Sequence, residues 1–420
     1  MIEPEALAAS LTGELDDRLA DADAVLAAGY PGERSGRQPV HTAYVTADVY
    51  AADAGDTVQR WGREGLAALD EHADMFASVV GDADVIRRVK AKLAAEPVED
   101  LRIDFEDGYV VSTRGQEGDD EQVEDEHAGA GARALAESQQ AGNAAPFSGI
   151  RIKSFEQPTR ARGVRTLTHF VVALTEAGGS LETFVVTLPK VTSVDQVAAM
   201  VHAASRLEDE LGLTERTLRF EIQVETTQSI LGPDGSALVA RMIHASGGRL
   251  TGLHYGTYDY SAFCGIAAEH QALDHPVADH AKLVMQTAAA GTGVRLSDGS
   301  TNVLPVGDGD DVRAAWENHH RLVLRSLERG YYQGWDLHPA QLPTRYAATY
   351  GFFRVGLPRA LSRLADYAEQ RAGGIADEPA TARALADFVL RGLDCGAVDL
   401  DEVRSGSGLE DADLRRLARR

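Results

Sequence analysis

Residues 218–227 alternate with period two. Phe220, Ile222 and Val224 fall on one side, and Glu221, Gln223 and Glu225 on the other. The same rhythm returns at 41–47, 101–108, 149–154 and 250–260, with a buried-type run at 183–191, a weaker one at 293–298 and a last one at 334–339. Helix-like segments separate these runs: 3–28, 56–77, 83–95, an Ala-rich stretch ending near 140, 159–177, 193–211, 237–246, 279–290, 311–329, and most of 341–420. An antiparallel sheet with one wet face would explain a single alternating strand. Strands that alternate with helices instead predict a parallel barrel, whose helices cover the apolar strand faces and whose polar faces line the inside. The expected fold is a (β/α)8 TIM barrel (1–345, with an N-terminal helix) followed by a helical C-terminal extension (346–420). An open doubly wound sheet is the alternative. No Gly-rich phosphate loop follows the first strand to support it.

Composition changes this picture little. The chain has 420 residues, 44% hydrophobic and 25% charged, as expected for a globular protein. The net charge of −24 disfavours nucleic acid and anionic lipid as partners. Cys264 and Cys395 are the sole cysteines, which excludes a disulfide framework or a cysteine metal cluster. No signal peptide or membrane-spanning run is apparent, so a cytoplasmic enzyme is expected. The acidic run at 117–126 reads as a solvated helix start.

The candidate chemistry lies where strands meet their following loops: Asp104, Glu106 and Asp107; Arg151 and Lys153; Lys190; Glu225; Asp259; His338. In a barrel these positions converge on the C-terminal mouth. Hard carboxylate oxygens without cysteine suit Mg2+ or Mn2+ better than zinc. Mg2+ keeps only one or two protein carboxylates, and Glu225 and Asp259, on adjacent strands, meet that demand. A structural reading competes: the same carboxylates could be ion-paired to Arg151 and Lys153 inside the barrel, with no metal. Glu221, deeper in its strand, is expected to be structural, paired with Arg102 or Arg219, and His254 to be a satisfied interior histidine.

In order along the chain, these residues resemble the citrate lyase beta-subunit and HpcH/HpaI 2-oxo-acid aldolase superfamily of pyruvate-binding barrels, which includes malate synthases. The resemblance runs from about 104 to 341. Asp104-Phe105-Glu106-Asp107 looks like the acidic second-strand motif, and Arg151 like the arginine that holds the substrate carboxylate. Leu188-Pro189-Lys190-Val191 resembles the fourth-strand motif. Glu225 and Asp259 are similar to the metal-binding pair, and His338-Pro339-Ala340-Gln341 to the eighth-strand motif. The second-strand histidine that the pyruvate aldolases use as a base is absent, and Asp107 stands in its place, which favours the citrate lyase side. Tyr260 replaces a more usual apolar residue.

The resemblance implies a Mg2+-dependent carbon–carbon lyase or aldolase acting on a 2-hydroxy- or 2-oxo-carboxylate, with a coenzyme A thioester as one form of the substrate, although no coenzyme A motif is visible. Glu225 and Asp259 would bind the metal. Arg151, Glu106, Asp107 and Lys190 would be catalytic, with Arg151, Lys153 and His338 binding substrate. A homo-oligomer is expected. A malate-synthase-like condensing enzyme and a non-catalytic 2-oxo-acid-binding regulator are the alternatives.

Overall fold

A computed structural model describes residues 3–53, 55–110, 119–368 and 378–418; the first residues of the acidic run, 117–118, lie outside them. Eight parallel strands form one sheet: β1 (His41–Thr46), β2 (Asp100–Asp104), β3 (Phe147–Arg151), β4 (Phe184–Leu188), β5 (Arg219–Val224), β6 (Leu250–Tyr255), β7 (Arg295–Ser297) and β8 (Gly334–Asp336). Their order is β7-β6-β5-β4-β3-β2-β1-β8. A bridge from Ser297 to Gln333, with Asp298 N–H donating to the Gln333 carbonyl at 2.8 Å, brings β7 to β8. The chain is a (β/α)8 barrel.

The period-two pattern sets its layers. Phe220, Ile222 and Val224 point outward and are fully buried under helices, as are Ile150, Val186 and Leu253. Each such side chain contributes roughly 1.5–3 kcal/mol by leaving water. The inward faces of β2, β5 and β6 fill the barrel with polar groups. Arg102 of β2 donates to Glu221 of β5 (Nε–Oε1 3.0 Å, Nη2–Oε2 2.9 Å) and to Asp100 (2.6 Å). His254 of β6 closes on Glu221 at 2.9 Å and accepts from Trp335 Nε1 at 3.1 Å. Indole N–H only donates, so His254 Nδ1 is unprotonated and Nε2–H faces the carboxylate. Glu221 and His254 thus have the structural roles expected of them.

The helix expected over 56–77 is two, Thr57–Glu71 and Ala73–Val80. They break at His72, whose ring meets Trp316 edge-on at 6.0 Å. Ser193 caps its helix through a capping box with Gln196. Outside the barrel, Asp336 holds Arg345, His41 and His319 in a buried cluster that ties β8 to the long helix Leu342–Ala368. That helix packs against Pro379–Asp394 and Leu400–Ser407. The first helix, Pro4–Gly29, buries none of its side chains. Among the described residues no helix is long and apolar enough to cross a membrane.

Candidate active site

Lys190 is the hub of the C-terminal mouth. It follows the Leu188-Pro189 corner at φ 51°, a left-handed conformation that costs a side-chain-bearing residue of order 1–3 kcal/mol. The twist aims its backbone N–H at Glu225 Oε1, 2.7 Å away. Its ammonium reaches Asp259 at 3.2 Å, both Asp107 oxygens at 3.2 Å, and Glu106. Glu225 at the end of β5 and Asp259 beyond β6 therefore share one lysine and lie on the same side of the barrel. Asp259 is not at a strand end as its sequence position suggested: β6 stops at Tyr255, and Asp259 lies in the first turn of the helix Thr257–Phe263. Gly256 between them permits this approach. A Cβ there would come within 2.4 Å of Glu225 Cβ and 2.7 Å of its Oε2.

Arg151 is buried at the end of β3. Its Nε donates to Asp104 at 2.7 Å and its Nη2 to the other Asp104 oxygen, a bidentate clamp. Its Nη1 turns toward the mouth, 3.3 Å from Glu106 and 3.5 Å from Asp107, Nη2 also donates to the Asp107 carbonyl at 3.3 Å, and the guanidinium lies over the Tyr44 ring at 4.9 Å. β2 ends at Asp104, whose Oδ1 accepts from Glu106 N–H at 3.0 Å, so Glu106 and Asp107 sit on a turn.

Two of the expected residues lie apart from this cluster. Lys153 turns away to the Phe105 carbonyl at 2.6 Å and to Glu124 at 3.0 Å, because Glu124 is buried on the preceding helix, Asp119–Gln140, and needs a cation. His338 caps the short turn Pro339–Gln341, its Nδ1 accepting from Ala340 N–H at 3.2 Å. Desolvation lowers its pKa, so the ring is neutral at pH 7.

Carboxylates outnumber cations here, and their proton affinities record it. Burial pushes Glu225 up to about 8; Lys190 and Arg151 pull it down, while Glu106 and Asp259 push it up. Burial raises Glu106 to about 7, against Arg151 but with its hydrogen bond to Asp107. Asp107 is lowered despite burial by that bond, then by Arg151 and Lys190.

Sequence reasoning passed over two groups beside this cluster. Gln223, between Glu221 and Glu225 on β5, is fully buried, and among the described residues neither its amide atoms nor the buried Tyr44 hydroxyl has a hydrogen-bond partner. The position of Gln223, two residues before Glu225 on the inward face, was the available signal.

The chain belongs to the DUF6986 family. That family, described as a domain of unknown function, matches residues 19–420. No curated protein matches. Several solved structures are similar to this DUF6986 chain. Haloferax volcanii malate synthase in its magnesium/glyoxylate complex is 15% identical, covers 91% of this chain and 99% of its own, and has a TM-score of 0.47. The protein CitE from Mycobacterium tuberculosis, in complex with magnesium, acetoacetate and coenzyme A, is 18% identical over 86% of this chain and 99% of its own, at 0.47. An HpcH/HpaI aldolase/citrate lyase family protein from Burkholderia cenocepacia is 15% identical over 73% and 91%, at 0.39. These are the protein groups whose strand-end motifs the DUF6986 sequence resembles.

Whether a metal fits is decided by the donor set. Among the described residues no group of three or more His, Cys, Asp or Glu side chains is placed to hold an ion. The DUF6986 mouth offers instead two carboxylates, Glu225 and Asp259, linked through Lys190 and short of positive charge. That is the one- or two-carboxylate donor set Mg2+ accepts when water and substrate fill its other positions.

Proposed function

We propose that this protein is a divalent-metal-dependent enzyme that cleaves or forms a carbon–carbon bond beside the carbonyl of a small 2-oxo or 2-hydroxy carboxylate. The observation that carries the reading is the surplus of carboxylates gathered around Lys190, with the buried Glu225 raised to about 8 by burial first and then by Glu106 and Asp259. Glu225 and Asp259 would hold Mg2+ or Mn2+. When bound, the metal supplies Lewis-acid stabilisation of the enolate that such chemistry leaves.

This chain's own residues do the rest. Glu106, raised to about 7, is half protonated near neutral pH, which suits it to take a hydroxyl or α-carbon proton and return it. Asp107, lowered, stays ionised and steadies the acid form of Glu106 through their hydrogen bond. Lys190 adds positive potential where negative charge develops. Arg151 offers Nη1, whose contacts to Glu106 and Asp107 are longer than its clamp on Asp104 and can yield to a substrate carboxylate. The Gln223 amide and Tyr44 hydroxyl, without hydrogen-bond partners among the described residues, await the polar atoms of a bound substrate or water. Lys153 and His338 have no direct part in this scheme.

The test is enolisation. With Mg2+ present, the enzyme should wash deuterium from the methyl group of labelled pyruvate. Glu106→Gln should slow this by roughly 10²–10⁴-fold while leaving Mg2+ binding intact. No exchange by the parent protein with pyruvate or other small 2-oxo acids would overturn the lyase reading in favour of a silent binder.

A further inference from the structure

At the opposite, N-terminal end of the barrel the electrostatics reverse. A cavity of about 400 Å3 opens under the starts of β4 to β7 and is roofed by the loop before β1. Arg34 enters it from that loop, Arg219 from the start of β5 and Arg295 from the start of β7. Each of them donates to main-chain carbonyls. Arg34 Nη2 donates to Leu250 O at 3.4 Å, Arg219 to Glu182 O, and Arg295 to Gly36 O at 2.7 Å and Arg37 O at 2.5 Å.

Among the described residues no carboxylate forms an ion pair with Arg34 or Arg219. The acids on the cavity floor are already engaged: Asp100 and Glu221 are both held by Arg102. Glu182 reaches the rim with an exposed side chain. Desolvation and then the neighbouring Arg219 lower the proton affinity of Arg34, as expected for like charges held together with part of their water removed. Thr183 and Thr251 add hydroxyls to the wall. In a chain of net charge −24, acid partners for two adjacent arginines would be easy to supply, and the fold leaves them without.

We propose that this cavity is a binding site for a small oxyanion of the phosphate type, as the free ion or the end group of a phosphate monoester. Guanidinium forks match tetrahedral oxyanions bidentately, and the anion would relieve the repulsion between Arg34 and Arg219. The site is separate from the mouth and does not depend on what reaction occurs there.

The experiment is calorimetric titration of the full chain with inorganic phosphate at fixed ionic strength, with methyl phosphate as a second arm. Saturable binding with a raised melting temperature is expected. Methyl phosphate binding as tightly as phosphate would assign the site to esters, and weaker binding would assign it to the free ion. The double variant Arg34→Gln/Arg219→Gln should bind at least about tenfold more weakly, the loss of a charge-assisted contact, while melting no lower than the parent in phosphate-free buffer. Hydrogen exchange locates the site even if the double variant folds poorly: phosphate should slow exchange in residues 34–38 of the parent. Absence of saturable binding, parent-like affinity in a folded double variant, or protection confined to the mouth would each overturn the assignment.

Discussion

Glu221 and Glu225 lie on the same strand region and face, both buried inside the same barrel, yet their carboxylates behave in opposite ways. Glu221 is held well below the usual range: burial works against its charge, but Arg102 and then His254 outweigh it. Burial pushes Glu225 up to about 8; Lys190 pulls it down too little to offset that, being divided among Glu106, Asp107 and Asp259 as well, and Glu106 and Asp259 add to the rise. Burial is common to both, so partner count decides the sign. The deeper layer has its charges matched and reads as structure. The upper layer is short of positive charge, and it is the layer proposed to bind a metal cation.

The largest expected effect separates the two directly. Glu221→Gln leaves Arg102 with one acid fewer in the barrel centre and should cost about 3–5 kcal/mol in urea unfolding. Glu225→Gln in metal-free protein should not destabilise at pH 7 but raise stability by about 3 kcal/mol, since the parent's carboxyl, ionised in the unfolded chain, must take up a proton on folding there and glutamine need not. Equal losses from the two substitutions would erase the distinction.

A pH series sharpens it. The folded value of Glu225, about 8, lies above its ordinary 4.5. Between those values the native state holds a proton that the unfolded chain has released. The contribution of Glu225 is therefore complete below about 4.5 and is lost as pH rises through 8. Metal-free protein should lose on the order of a few kcal/mol between pH 5 and 9, and Glu225→Gln should flatten that decline. The depressed value of Glu221 acts in the other direction, its contribution lost only in strong acid.

Metal binding should show the same proton. Mg2+ must displace it, so affinity should climb about tenfold per pH unit up to roughly pH 8, with close to one proton released per ion. Glu225→Gln should bind Mg2+ at least about a hundredfold more weakly. Mg2+ bound by the variant as tightly as by the parent would remove Glu225 from the site. The smallest effect is expected at Gly256→Ala. Its methyl group would push Glu225 aside for about 1–3 kcal/mol of strain and a partial loss of Mg2+ affinity, read by thermal melting and titration.

What the sequence determined by itself was the barrel and its polar interior. Strand alternation, helix periodicity and caps such as Ser193 are local properties, fixed by side-chain geometry within a few residues. The same logic placed Glu221 inside, where only a partner such as Arg102 could keep it charged. The tertiary structure alone decided which cation serves which carboxylate. Lys153 answers Glu124 on a neighbouring helix, Arg151 is clamped by Asp104, and Lys190 is shared among several acids from different strands. It also moved Asp259 onto a helix and, among the described residues, left the Gln223 amide and the Tyr44 hydroxyl without hydrogen-bond partners. Coulomb energy depends on distances between residues far apart in the chain, and on how much water is excluded around them. Neither quantity is written in local sequence.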